Sequence, residues 1–323
     1  MSESASISVQ IIQKRLEAED VVSLWLRRTD GSALPPITAG AHIEIETAPN
    51  VLRQYSLCGT LEDGRIYEIA VLKEPASRGG SKAVHEQLQV GQIVKISAPR
   101  NHFPRVPTEG RSLLLAGGIG VTPIMAMAED CAAHGAAFEM HYCGRTLRKM
   151  AYVQRLTTGA AKDHVHIHVD DGAPAQQLQL AQLLATRGAA DHLYVCGPAG
   201  FIDAVLKAAA NAGWPEDHVH REFFAAPVSE AEGDNKPFKL VLGNMGLTFT
   251  VPADKSIAQV LEDNGVFVPT SCSEGICGTC IVGVLEGDVD HRDFLMSDAE
   301  HAANSKLTTC CSRAKSDVLV LDL

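Results

Sequence analysis

Four cysteines near the C-terminal end carry the most specific chemistry in this sequence. Cys272, Cys277 and Cys280 are spaced C-x4-C-x2-C, and Cys310 follows after a spacer of 29 residues. Four thiolates neutralise and hold two irons, and this uneven spacing is that of a plant-type [2Fe–2S] cluster. Zinc ligands pair as C-x2–4-C, which the x4-then-x2 run with a distant fourth cysteine fits poorly. Gly275 and Gly278 would let backbone N–H groups approach the cluster, where such bonds help set its potential. Cys311 adjoins Cys310. Adjacent side chains of an extended segment point to opposite sides, so one of the two faces the cluster, and spacing alone leaves the choice open. The chain has nine cysteines, an odd number that argues against a disulfide framework, and five of them lie after residue 270.

Two glycine turns suggest phosphate chemistry. Leu113-Leu114-Leu115-Ala116-Gly117-Gly118-Ile119-Gly120-Val121-Thr122-Pro123 reads as a strand, a glycine loop and a helix start. Glycines there bring a phosphate close to the backbone, and a helix N-terminus favours its charge. The spacing is not the Rossmann G-x-G-x-x-G, so a tight structural turn explains it equally well. Tyr194-Val195-Cys196-Gly197-Pro198 is a second strand ending at a turn and a helix. Two such turns at strand C-termini make the crevice in which α/β domains bind ligands. Nearer the N-terminus stand Arg53-Gln54-Tyr55-Ser56 and Arg78-Gly79-Gly80-Ser81, the latter just before a helix expected over 82–88. Arginine with glycine-backed amides makes a phosphate site, and a tyrosine could flank a flat ring. A structural tyrosine beside a plain loop is the competing reading.

The elements that must position these groups fall into three stretches. Ile7–Ile12, Val21–Leu26, Ala41–Glu46, Ile66–Leu72 and Gln92–Ser97 read as strands divided by Gly and Pro, which suggests a small antiparallel β-barrel. From about Arg111, strands at Ser112–Ala116, Ala137–Cys143, Val165–Val169 and His192–Cys196 alternate with helices to about His134, at Gln176–Ala185 and at Pro198–Ala212. That alternation indicates a parallel α/β domain. An acidic, apolar-poor linker spans 228–236. Beyond it come strands at Phe238–Leu242, Leu247–Val251 and Val318–Leu321, with a helix at Ser256–Asn264. The expected domains are therefore 1–106, 107–227 and 237–323.

Net charge is −11, which disfavours nucleic acid as a partner. From Lys236 onward twelve acidic residues face seven basic ones, an excess that suits solubility or docking to a basic protein face. The longest apolar stretch, Ser112–Ala128, is short and broken by glycines, and residues 1–10 lack the pattern of a signal peptide. No membrane contact and a cytoplasmic location are expected.

Taken in this order, the motifs resemble the phthalate dioxygenase reductase family, the reductases of Rieske oxygenase systems. The resemblance covers essentially the whole chain and includes the ending Cys310-Cys311-Ser312-Arg313-Ala314. It implies an FMN-binding barrel, an NADH-binding parallel-sheet domain and a C-terminal plant-type ferredoxin domain of β-grasp, α+β class. Arg53, Tyr55 and Ser56 would hold the isoalloxazine side of FMN, with backbone at Ala70, Val71 and Lys73 lining it. Arg78, Gly79, Gly80 and Ser81 would hold its phosphate. Gly118 and Thr122 would face NADH, with Cys196 beside the nicotinamide. Phe224 matches an aromatic that covers the flavin, and its neighbour Phe223 departs from the pattern. Cys310 would be the fourth cluster ligand. The implied activity is transfer of electrons from NADH through FMN to [2Fe–2S] and on to a Rieske-type oxygenase of a small aromatic substrate. A flavin is needed between a two-electron donor and a one-electron acceptor. The alternatives are a FAD- and NADPH-dependent reductase, with Arg145, Arg148 and Lys149 meeting a 2′-phosphate, and a non-enzymatic ferredoxin-like carrier.

Overall fold

The computed structural model describes residues 6–49, 51–61, 64–75, 77, 79–226 and 235–323. Arg78 and most of the 228–236 linker lie outside the described residues. By packing, the chain divides into two compact units, Met1–Glu222 and Phe223–Leu323.

The first unit begins with strands β1 (Ile7–Ala18), β2 (Val21–Arg28), β3 (His42–Ala48), β4 (Val51–Leu61), β5 (Ile66–Leu72) and β6 (Ile93–Ile96). They close a barrel in the order β1-β2-β5-β4-β3-β6, with antiparallel pairs throughout. Alternating residues such as Leu24, Leu26, Ile43, Ile45 and Ile69 fill its interior. Helix α1 (Gly80–Glu86) precedes β6. β4 was not among the expected strands. Its VLRQYSLCGTL mixes polar and apolar residues without a clean period of two, and its neighbours β3 and β5 hold it in place.

Strands β7 (Ser112–Gly117), β8 (Phe138–Gly144), β9 (Val165–Val169), β10 (His192–Cys196) and β11 (Val219–Glu222) follow. They form an all-parallel sheet in the order β11-β10-β7-β8-β9. Every residue of β7 is buried, as its unbroken apolar run demands of a strand covered on both faces. The helices are α2 (Val121–His134), α3 (Val153–Thr158), α4 (Leu180–Leu184) and α5 (Ala199–Asn211). α4 is shorter than the expected 176–185 because Pro174–Gln176 forms a separate 3-10 turn. The barrel keeps its own core, and a few of its residues also join that of the sheet. Val21, Cys58, Ala70 and Phe103 pack in the same cluster as Leu114, Met125, Tyr142 and Tyr194. Glu68 of β5 also accepts hydrogen bonds from Tyr152 Oη (2.9 Å) and Arg155 Nη1 (2.7 Å). Architecture changes near residue 106 while packing continues across it.

In the second unit, β12 (Phe238–Leu242), β13 (Leu247–Val251), β14 (Ile281–Glu286), β15 (Val289–Asp290), β16 (Lys306–Thr308), β17 (Arg313–Ala314) and β18 (Val318–Leu321) surround helices α6 (Ile257–Asp263) and α7 (Asp298–Ala303). The main sheet runs β13-β12-β18-β14-β16, with β12 and β18 parallel and the other pairs antiparallel. Ser256 starts α6 with a reciprocal capping box to Gln259. The helix then lays Ile257, Val260 and Leu261 on Leu240, Leu319 and Leu321. β14 to β17 and α7 were not expected. They are two to six residues long, too short for periodicity to declare them.

Candidate functional site

Two motifs of the barrel meet. A methyl group placed on Gly80 would lie 2.5 Å from Arg53 Cγ and 2.7 Å from its Nε, so the arginine stem of β4 lies directly over the start of α1. Only glycine leaves that room. Gly79 precedes it with φ 98°, a conformation that side chains disfavour. Leu57 points into the barrel core, so Ser56 lies on the opposite face of β4, where it is buried beside its cross-strand partner His42. Burial pushes the Tyr55 phenol above its usual range and lowers His42 to about 4. Of the backbone expected to line the flavin, two groups already have protein partners. The Val71 carbonyl bonds His85 Nε2 (2.9 Å), and the Lys73 N–H donates to the Asp20 carbonyl (2.7 Å). Ser81 Oγ accepts the Glu74 N–H (3.1 Å), and Ser77 Oγ accepts that of Gly79 (3.2 Å), so these hydroxyls tie down the loop itself.

The glycines at the sheet's C-terminal edge divide into two kinds. A methyl on Gly120 would lie 2.3 Å from the Cys196 carbonyl oxygen, and one on Gly197 would lie 3.0 Å from Gly117 Cα. These glycines let the ends of β7 and β10 press backbone to backbone. Gly118 has φ 54° and nothing within 4 Å of its open side, so it alone among these glycines faces open space. Thr122 is only 2% exposed and its Oγ1 donates to the Ile119 carbonyl (3.1 Å), bracing the turn. Cys196 is fully buried, and burial, together with the Glu222 carboxylate, raises its thiol well above the usual range.

Glu222 is a residue that the sequence reading passed over. It ends β11 paired with Cys196 on β10, its Oε2 is buried without a partner among the described residues, and burial raises its carboxyl to about 8. No strand was expected over 219–222, so only the fold shows this carboxyl at the C-terminal end of a parallel strand. Phe224, two residues on, is 39% exposed, whereas the ring of Phe223 lies 6.0 Å from that of Phe294 within the second unit.

In that second unit the cysteines converge. Positive φ at Ser273, Gly275 and Gly278 curls the loop so that the Glu274 N–H donates to Cys272 Sγ (3.3 Å). Thr309 binds the Cys280 carbonyl through both its N–H (3.1 Å) and Oγ1 (3.2 Å), which sets Cys310 against Cys280 and Cys272. Hydrogen bonds from Cys277 and Cys310 and from the N–H groups of Glu274 and Ile276 lower Cys272, and the same thiol contacts raise Cys277 and Cys310. Cys311 Sγ bonds Thr308 Oγ1 (3.1 Å) but also lies beside Cys310, and a methyl on Gly275 would be 2.6 Å from it. Arg313, at the end of the same motif, is buried and donates to the carbonyls of Lys255 (2.7 Å), Pro252 (2.9 Å) and Lys236 (3.2 Å). Its role is to close the unit.

The family described as "2Fe-2S iron-sulfur cluster binding domain" matches residues 241–315, a span that contains all four cysteines. A second, "Dimethylamine monooxygenase subunit DmmA-like, N-terminal domain", matches residues 104–219. The vanillate O-demethylase oxidoreductase of Pseudomonas sp. (strain HR199 / DSM 7063) is 49% identical over 98% of this chain and 100% of its own. The solved structure of a phthalate dioxygenase reductase, titled as modular for electron transfer from pyridine nucleotides to [2Fe-2S], is 36% identical with a TM-score of 0.73 and 99% coverage of both chains. An intact type IV self-sufficient cytochrome P450 monooxygenase is 37% identical with a TM-score of 0.89. The match covers 98% of this chain and 41% of that longer one.

The chain belongs to the phthalate dioxygenase reductase-like family. It is an oxidoreductase that takes electrons from a nicotinamide nucleotide through a flavin and a [2Fe–2S] cluster to an oxygenase partner. This displaces the reading of it as a mere carrier. No helix among the described residues is long and apolar enough to cross a membrane.

Proposed function

We propose that this reductase is cytoplasmic, uses NADH and FMN, and delivers its electrons to a Rieske-type oxygenase of a small aromatic substrate. The observation that carries the reading is the contact of Arg53 with Gly80, which joins the two flavin motifs in a chain whose Cys310 converges on Cys272 and Cys280. When bound, the flavin links hydride donation to one-electron acceptance.

In this reading residues 1–106 hold the flavin, 107–227 the nicotinamide nucleotide and 237–323 the cluster. Arg53, Tyr55 and Ser56 hold the isoalloxazine edge, with Ser56 placed to bond N5, and backbone at Ala70, Val71 and Lys73 lines it. Arg78, Gly79, Gly80 and Ser81 hold the single phosphate that FMN carries. Gly118 opens the crevice to NADH while Thr122 braces it. Cys196 and Glu222, at adjacent strand ends, flank the nicotinamide, and Phe224 shields the flavin. Cys272, Cys277, Cys280 and Cys310 ligate the irons, and Cys311 stays outside. The 49% identity to a vanillate O-demethylase oxidoreductase supports an aromatic acid bearing a methoxy group as the oxygenase's substrate.

A second reading, FAD with NADPH, rests on Arg145, Arg148 and Lys149, all exposed just beyond β8. Chromatography of the released flavin and rates with each nicotinamide nucleotide decide between them. FMN and a preference for NADH uphold the first reading; FAD and a preference for NADPH replace it with the second.

A further inference from the structure

The second unit contains another group of metal-ligand side chains, separate from the four cysteines. His291 and Asp293 lie just beyond β15, and His301 lies on α7. One ligand atom from each falls within 4.8 Å of the others. Asp293 Oδ1 is 3.1 Å from His301 Nε2 and 3.9 Å from His291 Nδ1, and the two imidazoles stack 4.4 Å apart. The Asp293 side chain is fully buried and that of His291 only 7% exposed.

Both nitrogens of His291 are buried and without a hydrogen-bond partner among the described residues. An imidazole carries at least one N–H and, when neutral, one lone pair, so a buried ring with neither satisfied calls for a ligand. The carboxylate is already oriented to share it. Asp293 Oδ2 accepts the Met296 N–H (2.8 Å), which leaves Oδ1 facing the histidines, an outer-shell bond of the kind that fixes metal ligands. His301 is 25% exposed and offers an entry path. Of the charges around His291, Lys315 opposes a cation and Asp290 favours one, and Asp290 is itself paired with Arg292 (2.6 Å).

We propose that His291, Asp293 and His301 bind one divalent transition-metal ion. Two imidazoles and a carboxylate suit Zn2+ or Fe2+, with water completing the coordination. To converge on the ion the stacked rings fan apart about their present positions. The site adjoins the cluster loop: the Phe294 N–H donates to the Gly275 carbonyl (3.0 Å), and a methyl on Gly275 would lie 2.9 Å from Asp293 Cα. Glu139, His141 and His166 form a comparable group in the first unit. There Arg111 already occupies Glu139 Oε2 (2.5 Å), and His141 Nδ1 is bonded to His168 Nε2 (2.8 Å) outside the group. The proposal is independent of which flavin, nicotinamide or oxygenase the protein uses.

The test is equilibrium dialysis of the protein with flavin and cluster in place against Zn2+, with zinc and iron measured by elemental analysis. The expected result is one zinc per two irons, with affinity falling at least about tenfold in His301→Ala and in Asp293→Asn and holding in His166→Ala. Iron content and the visible spectrum show that each variant is folded. If Asp293→Asn loses its cluster, His301→Ala, partly exposed and outside the cluster loop, decides alone. Equal zinc uptake by wild type and His301→Ala, or uptake lost only in His166→Ala, would overturn the proposal.

Discussion

In the C-terminal unit the chemistry sits in side chains. In the proposed assignment Cys272, Cys277, Cys280 and Cys310 would supply the ligating atoms, and the backbone only bends to bring them together. In residues 1–222 the candidate sites are largely space left by missing side chains. Gly80 makes room for Arg53 and Gly118 faces open space, while Gly117, Gly120 and Gly197 are consumed in packing two strand ends together. A side-chain site is therefore sensitive to one atom, a sulfur. A backbone site is sensitive to volume, and two glycines two residues apart can differ completely in what an added methyl does.

The largest effect expected from this contrast is at the cysteines. Cys310→Ser loses the iron chromophore, and Cys311→Ser keeps it; the reverse pattern, read from iron content and visible absorbance, would exchange their roles. Gly120→Ala drives a methyl into the Cys196 carbonyl. It should cost about 1–3 kcal/mol by thermal or denaturant unfolding and abolish NADH oxidation. Gly118→Ala meets no atom, so its stability cost is only about 1 kcal/mol from φ 54°, and its effect should fall on the KM for NADH. Equal loss of stability in the two variants would erase the distinction between closed and open glycines. Gly80→Ala displaces Arg53 and should weaken flavin binding about tenfold in a fluorescence titration, as expected for losing one charge-assisted hydrogen bond.

Glu222 sharpens the comparison through pH. Folding raises its carboxyl from an ordinary 4.5 to about 8, so folding favours the acid form. The stability this permits is whole below about pH 4.5, declines as the unfolded state ionises, and is gone above about pH 8. Glu222→Gln should therefore melt higher than wild type at pH 8, with a smaller gain at pH 5; a pH-independent difference would deny the buried acid. The smallest effect is expected at Arg148, which is exposed. Arg148→Ala should alter the NADH rate by less than about twofold, and a larger loss, above all with NADPH, would favour the 2′-phosphate reading.

Four strands of the parallel sheet and the cysteine loop were legible in the sequence because apolar runs and ligand spacing are local signals; β11 was not. β4, which carries the candidate residues Arg53, Tyr55 and Ser56, was not legible, because its polar residues break the period of two. The glycine motifs announced turns but could not tell Gly118 from Gly120. That difference depends on Cys196, far away in sequence, lying against one and not the other. Glu222 was missed for the same reason: its significance comes from standing beside Cys196 on the neighbouring strand.

The most direct test of the central claim is the visible spectrum of the purified protein before and after NADH is added without oxygen. The account predicts overlapping flavin and iron–sulfur bands that both bleach, with electrons reaching the cluster. An iron–sulfur spectrum unmoved by NADH, even after FMN is supplied, would contradict it.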